Sequence, residues 1–226
     1  MVARDASRDR YVITEKTVSY CRAALAAAQQ AGNKDQVGFP HFALGICLLW
    51  SGHLDEAEEH LSAAMSAGEQ TGNAALLGRS LTFLPFIFRL RGQVEQVRSI
   101  ITRSLAVPAA RKNSIITGQR AWVAWRDGAM AEAEAYGRAS LEGRQDVSLF
   151  HWAGLWPLIG VALTQEKIAE AMHYVRMLLD PTQQPPPEQL SALLKAALQA
   201  WDAGQRDEAH ELLQQIMPLA EQMGYL

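Results

Sequence analysis

Residues 52–57 read Gly-His-Leu-Asp-Glu-Ala, and this pattern of a glycine, turn residues, an acidic or amide side chain and a small closing residue returns four times. The further copies are 92–97 (GQVEQV), 128–133 (GAMAEA), 166–171 (EKIAEA) and 204–209 (GQRDEA). The closing residues are separated by 40, 36, 38 and 38 positions. A period of this length is typical of helical repeats.

Each copy has the composition of a tight turn between two antiparallel helices. Glycine tolerates the left-handed conformation that ends a helix, and Asp55 and Asp207 are predicted to cap the helices that follow. The closing residue is predicted to lie where the two helices cross, because a small side chain lets them approach. High alanine content also favours helix. The sequence therefore predicts an all-α solenoid of about five helical hairpins.

The first complete unit carries a family resemblance. Its alternation of small and large residues resembles the tetratricopeptide-repeat signature at His41, Leu44, Gly45, Leu48, Gly52, Ala57, Leu61 and Ala64. Repeats of 36 to 40 residues exceed the usual length of about 34 in that family. The resemblance implies one superhelical domain over 1–226, with a half repeat at 11–33 and repeats at about 38–73, 78–110, 114–145, 151–180 and 188–224.

Prolines and the chain end interrupt the pattern. Residues 181–187 (PTQQPPP) are predicted to form a stiff extended connector, with a proline-motif ligand as the alternative. Pro85 should kink or delay its helix, and Pro157 should do the same or instead open a helix. No polar capping helix follows residues 223–226. We therefore expect a piece of something larger, or ends that are buried against a partner or in a homo-oligomer.

Composition and cysteine usage indicate the class of protein. The chain has 226 residues, of which 49% are hydrophobic and 20% charged, as in globular proteins. Cys21 and Cys47 fall in apolar helical pattern, so we expect reduced core residues. The first ten residues are polar, and the longest apolar stretch, 152–163, is shorter than the roughly 20 residues of a membrane span. We expect a soluble, cytoplasmic protein without membrane contact.

The sequence contains none of the common catalytic motifs. It has no glycine-rich phosphate loop, GxGxxG, CxxC or GxSxG. We therefore expect neither enzyme activity nor a cofactor. His53, Glu56 and His60 lie close enough in sequence to suggest a metal site. Their setting in the acidic stretch 55–59 instead indicates a helix start of the kind that the helix dipole favours, so we expect no metal.

Aromatic residues supply the candidate binding site. Counted back from each turn, the first helices place large side chains on the face that lines the inside of such solenoids. The predicted partner-binding groove consists of Phe42, Arg79, Phe86, Arg89, Trp122, Trp125, Trp156 and Trp201. Large apolar residues between stacked helices also fill cores. Both interpretations, groove and core, remain open for each aromatic residue.

Charge is unevenly distributed along the chain. Residues 79–126 hold nine basic residues and one acidic residue, whereas 1–78 hold six and nine, and 127–226 hold six and fourteen. This basic block has three interpretations: it neutralises acidic neighbours within the fold, binds an acidic peptide or protein, or binds nucleic acid. The slightly acidic chain disfavours nucleic acid.

Residues 156–159, 176–185, 197–204 and 221–226 are similar to the C-terminal repeat region of large bacterial signalling proteins. Those proteins join a nucleotide-cyclase or DNA-binding domain to an ATPase module and a tetratricopeptide tail. The resemblance implies a non-catalytic regulatory scaffold that binds a protein or peptide, acidic in one interpretation. The alternative is an anionic small ligand or nucleic acid bound through residues 79–126.

Overall fold

The computed structural model describes residues 13–32, 36–108, 113–142 and 149–226. Within those ranges the chain forms eleven α-helices and no β-strand. The all-α, hairpin-based fold class is therefore confirmed. The helices are α1 (Glu15–Gln30), α2 (Gly38–Trp50), α3 (Leu54–Thr71), α4 (Ala74–Leu90), α5 (Val94–Ala106), α6 (Ser114–Arg126), α7 (Met130–Leu141), α8 (Trp152–Thr164), α9 (Ile168–Leu178), α10 (Glu188–Asp202) and α11 (Arg206–Gln222).

The repeated turn has the backbone conformation that the sequence predicts. The residue two positions before each second helix of a hairpin is left-handed, with φ of 84° at Gly52, 68° at Gly92, 74° at Gly128 and 81° at Gly204. The fourth turn has Glu166 at the equivalent position, with φ of 58°. The periodic signal therefore identified the same turn even where glycine is replaced.

The closing residue of each copy lies in the core. All five side chains are completely buried: Ala57, Val97, Ala133, Ala171 and Ala209. The prediction that Asp55 and Asp207 cap the second helices is wrong. Those helices begin earlier, with His53 and Gln205 at the cap positions, so each aspartate lies in the first helical turn. An acidic side chain there still interacts favourably with the helix dipole.

The sequence predicts one domain, whereas the contacts between residues group the chain into two compact units. The first unit comprises 1–88 and 95–112, and the second comprises 89–94 and 113–226. In the first unit α1 packs on α2, and α2 on α3. In the second unit α6 pairs with α7, α8 packs on both, and α9, α10 and α11 each pack on the helix before them.

Helices run through the internal prolines. Pro85 lies inside α4 and Pro157 inside α8. The alternative in which Pro157 opens a helix is wrong, because α8 begins at Trp152. Residues 181–187 are not helical, as predicted. They pack on the start of α8, where the Gln184 amide donates to the Leu149 carbonyl at 3.0 Å.

The two cysteines are buried free thiols, with their Sγ atoms 3.5 Å apart between α1 and α2. Cys47 has its pKa raised by its hydrogen bond with Cys21 and by burial. In the described part of the chain, no helix combines the length and apolar character needed to cross a membrane.

Candidate functional site

In the first unit, five aromatic rings form a continuous series that we call the aromatic row. Neighbouring ring centroids are 6.0 Å apart for Phe39 and Phe42, 5.9 Å for Phe42 and Phe83, 6.1 Å for Phe83 and Phe86, and 5.4 Å for Phe86 and Trp50. Phe86 is completely buried, whereas Phe39 is 57% exposed. The row therefore connects the core of this unit to its surface.

A cleft lies at the exposed end of the aromatic row. Its volume is about 380 Å³, and its lining residues are Gln36, Phe39, Asn73, Ala75, Leu76 and Arg79. The Arg79 guanidinium carbon lies 5.9 Å from the centre of the Phe39 ring. The cleft thus combines an apolar ring, a cation and two side-chain amides within one small volume.

Local structure explains why the cleft forms where it does. Asn73 accepts a hydrogen bond from the Leu76 amide at 3.0 Å, which fixes the start of α4. A Cβ atom at Gly38 would lie 2.6 Å from Leu76 Cδ2 and 3.0 Å from Ala67 Cβ, so a larger residue there would require these side chains to shift. Phe39 and Arg79 project from these two helix starts.

The second unit holds the other predicted groove aromatics, and they do not share one surface. Trp122 and Trp156 are completely buried. Trp125 is partly buried, and its ring lies so close to Gly160 that a Cβ atom there would meet it at 2.7 Å. Trp201 stacks under the Arg206 guanidinium at 3.5 Å, within its own hairpin. Their partner-binding role stays a prediction.

Arg89 is at the centre of a second aromatic group, which we call the Arg89 cluster: Arg89, Gln119, Trp122, Trp152, Trp156 and Tyr225. Its guanidinium carbon lies 5.5 Å from the Trp122 ring and 5.1 Å from the Trp152 ring. Burial lowers the pKa of Arg89 well below its usual value, and Tyr225 acts in the opposite direction. The pKa of Tyr225 is raised to about 12 by burial.

Four of the eight predicted groove residues therefore have no exposed surface: Phe86, Arg89, Trp122 and Trp156. They belong to the core in this structure, and a partner reaches them only where the covering residues move. Phe42, Trp125 and Trp201 are partly exposed, and Arg79 is exposed. Of the predicted set, the structure brings Arg79 to the cleft and places Phe42 one ring behind it.

Sequence reasoning missed Phe39, Phe83, Trp152 and Tyr225. Two of these had a usable signal, because Phe39 and Phe83 precede the predicted Phe42 and Phe86 by three residues, which puts each pair on one helix face. Trp152 lay in the apolar stretch without any distinguishing neighbour. Tyr225 contacts residues far away in sequence, which no local pattern indicates.

Much of the basic block is paired inside its own unit. Arg103 contacts Glu69 at 2.6 Å and Arg98 contacts Glu95 at 3.5 Å, and Arg126 contacts Glu221 at 3.0 Å. Arg120 donates to the Tyr136 hydroxyl at 2.6 Å. Arg111 and Lys112 lie outside the described residues. These contacts favour the interpretation in which the basic block neutralises acidic neighbours within the fold.

The residues considered for a metal site have separate partners. His60 and His41 approach through their Nδ1 atoms at 2.9 Å, His53 Nδ1 lies 3.1 Å from Ser51 Oγ, and Glu56 pairs with Arg22 at 2.6 Å. Within the described ranges, no three His, Cys, Asp or Glu side chains converge as they would around a metal ion.

Comparison with known proteins adds no assignment. No protein-family model matches the chain, and a search of the curated proteins finds no match.

Proposed function

We propose that the chain is a non-catalytic interaction scaffold that binds a peptide segment of a partner protein in the Phe39–Arg79 cleft. The observation that carries this proposal is the exposure of Phe39. Among the described residues, only Phe39 and Tyr20 are large hydrophobic side chains with wide exposure, each at 57%. Phe39 lines the cleft described above.

The chemistry of the cleft indicates the kind of segment it fits. An aromatic or aliphatic side chain would cover the Phe39 ring and remove apolar surface from water. A carboxylate on the same segment would pair with Arg79, whose planar guanidinium suits two-point contacts with carboxylates. Gln36 and Asn73 add amide groups that hydrogen bond to a peptide backbone. An acidic, partly apolar peptide therefore meets all three features.

The wider context is also part of the proposal. The tetratricopeptide-like repeats and the similarity of 156–159, 176–185, 197–204 and 221–226 to bacterial signalling tails favour a regulatory role in a bacterial signalling or transcriptional protein. The cytoplasmic setting of this role is likewise part of the proposal and rests on the sequence, whose two cysteines are not the framework of a secreted fold.

A peptide array probed with the purified chain tests the cleft. We expect Phe39→Ala and Arg79→Glu to lose the bound peptides, and the bound set to be rich in aromatic–acidic sequences. The matched control is Tyr20→Ala, because Tyr20 is equally exposed and also has a cation nearby, with Lys16 Nζ 5.7 Å from its ring centre, but it does not line the Phe39–Arg79 cleft. Equal retention of peptides by all three variants contradicts the proposal.

Binding of nucleic acid or an anionic small ligand through 79–126 remains the alternative, with less support. Arg103 and Arg126 are paired with carboxylates, and Arg89 is buried. A salt titration separates the alternatives. Phosphate-dominated binding falls steeply between about 50 and 200 mM salt, whereas binding anchored on Phe39 weakens much less.

A further inference from the structure

Arg89 is a fully buried cation whose partners are all uncharged. Its Nη1 donates to the carbonyl oxygen of Ala153 at 2.8 Å and to Gln119 Oε1 at 3.3 Å, and its Nη2 donates to the carbonyl oxygen of Tyr225. No carboxylate of the described residues lies within ion-pairing distance of it. Burying a charge without a counter-charge is costly, so this arrangement needs a reason.

Hydrogen-bond donors are in excess throughout the Arg89 cluster. Four buried nitrogen atoms find no acceptor among the residues that the structure describes: Arg89 Nε, Gln119 Nε2, Trp122 Nε1 and Trp156 Nε1. Each of these atoms is a donor. Buried donors without acceptors cost free energy, so the cluster is short of acceptor oxygens. A carboxylate supplies two such oxygens and the missing negative charge.

Residues 224–226 fill this place in the structure. We call residues 224–226 the terminal segment. The Tyr225 ring lies 5.1 Å from the Trp152 ring and 6.0 Å from the Trp156 ring. Leu226 is buried, and its carbonyl oxygen accepts from Arg126 Nη1 at 3.3 Å. The segment therefore presents a ring and two carbonyl oxygens to the second unit, as a bound peptide would.

The backbone of the terminal segment is also bonded to its own helix. The Gly224 amide donates to Glu221 at 3.0 Å, and those of Tyr225 and Leu226 donate to the Ala220 carbonyl at 2.8 and 3.2 Å. Both acceptors, Glu221 and Ala220, are in α11. The Tyr225 carbonyl and the Leu226 amide belong to one planar peptide group, so the segment leaves the site only when the Leu226 bond breaks together with the bonds from Arg89 and Arg126.

We propose that the terminal segment occupies, in cis, a second peptide-binding site centred on Arg89, and that a partner peptide with an aromatic residue followed by an acidic one displaces it. The aromatic side chain replaces Tyr225 between Trp152 and Trp156. The carboxylate takes the place between Arg89 and Arg126 that the carbonyl groups of Tyr225 and Leu226 now occupy. This site is separate from the Phe39–Arg79 cleft, so it is a further function beyond the one proposed above.

Calorimetric titration of the full chain with defined peptides tests this proposal. The probe is N-acetyl-Gly-Tyr-Glu-amide, and its matched control is N-acetyl-Gly-Tyr-Gln-amide, which keeps the shape and loses the charge. Sodium acetate alone distinguishes a peptide from a free carboxylate. The proteins are the unmodified chain, Phe39→Ala, and Tyr225→Ala, Gly224→Ala and Arg89→Gln, each of the last three made in the Phe39→Ala background, and all are checked for helix content by circular dichroism.

While the terminal segment occupies most of the sites, the probe binds only to the free fraction, and its apparent affinity is lowered by that fraction. Removing the segment therefore raises the affinity, about tenfold if one site in ten was free. We expect this gain in Tyr225→Ala. The same gain is expected in Gly224→Ala, where φ is +75° and a Cβ atom would lie 2.5 Å from Leu90 Cα, so that the segment cannot dock. The probe also fits the Phe39–Arg79 cleft, so the gain is measured in the Phe39→Ala background, where Arg89→Gln removes the binding that is left.

Three results overturn the proposal. One is an unchanged or lower affinity in both Tyr225→Ala and Gly224→Ala, which would make the terminal segment part of the core only. Another is equal binding of the glutamate and glutamine peptides. The third is an acetate signal equal to that of the peptide. Because the Phe39→Ala background lacks the cleft, failure here and failure of the proposed function are distinguishable.

Discussion

The aromatic row of the first unit and the Arg89 cluster of the second contain the same kinds of side chain, but their cations have opposite environments. Arg79 lies in the open, 5.9 Å from the ring of Phe39, which is itself 57% exposed. Arg89 lies between Trp122 and Trp152 and has no exposed surface. The two groups differ in whether other residues of the chain cover the cation and the ring beside it.

This difference shows how a binding surface and a core can arise from one repeated pattern. Arg79 remains hydrated, so it needs no partner from the chain and is available to a ligand. Arg89 has lost its water and depends on the carbonyl groups of Ala153 and Tyr225. Desolvation makes any electrostatic contact at Arg89 stronger and any missing contact more costly. The covered group is therefore the one that mutations should disturb most.

Truncating one ring in each group gives the largest contrast. Trp122→Ala should lower the free energy of unfolding by about 3 to 5 kcal/mol, because it removes a fully buried ring and leaves a cavity. Phe39→Ala should change it by no more than about 0.5 kcal/mol, as is usual for surface positions. Urea unfolding followed by circular dichroism measures both. A loss of several kcal/mol in Phe39→Ala would mean that the cleft is part of the core.

The repeated turn offers a second comparison, with an exchange of residues between the two units. Glu166 has a φ of 58°, a conformation that costs a residue with a Cβ about 1 kcal/mol or more. Glu166→Gly should therefore stabilise the second unit by about 1 kcal/mol, and Gly52→Glu should destabilise the first by a similar amount. Thermal unfolding of both variants checks this. Changes of the same sign in the two variants would contradict the equivalence of the turns.

The turns were predictable from sequence because they depend on local conformation. A glycine or its substitute and a small closing residue recur with a period that survives the replacement at Glu166. Burial was harder to predict: Trp122 and Trp125 lie one turn apart in α6, yet only Trp122 is completely buried. What covers each one is decided by neighbouring helices. Tyr225 reaches Arg89 from 136 positions away, so no local pattern could indicate that contact.

Two histidines, one in each unit, should make the stability of the fold depend on pH. Burial lowers the pKa of His41, and His60 lowers it further while Glu59 acts in the opposite direction. Burial alone lowers the pKa of His151. A lowered pKa in the folded state means that the unfolded chain binds more protons, so stability should fall as pH drops below about 6.5.

Replacing His60 should reduce this pH dependence and replacing a surface histidine should not. In His60→Asn, protonated His41 no longer meets a second imidazole 2.9 Å away, so less stability is lost between pH 7 and pH 5. His173→Asn is the control, since His173 is exposed. The measurement is urea unfolding across that pH range. If the free energy of unfolding fell equally with pH in His60→Asn and in the unmodified chain, the His41–His60 pair would not contribute to the pH dependence.

The smallest effects are expected from the ion pairs of the basic block, and they too differ between the units. Arg103 and Glu69 are 43% and 46% exposed, whereas Arg126 is only 28% exposed and also donates to Leu226. Double-mutant cycles should give a coupling near 0.5 kcal/mol for the first pair and a larger one for Arg126 and Glu221. Raising salt from about 0.1 to 1 M shortens the screening length from about 10 to 3 Å, so the Arg103 coupling should vanish first. If the Arg126 coupling vanished equally, Arg126 would be an ordinary surface cation and would contribute little to holding the terminal segment in place.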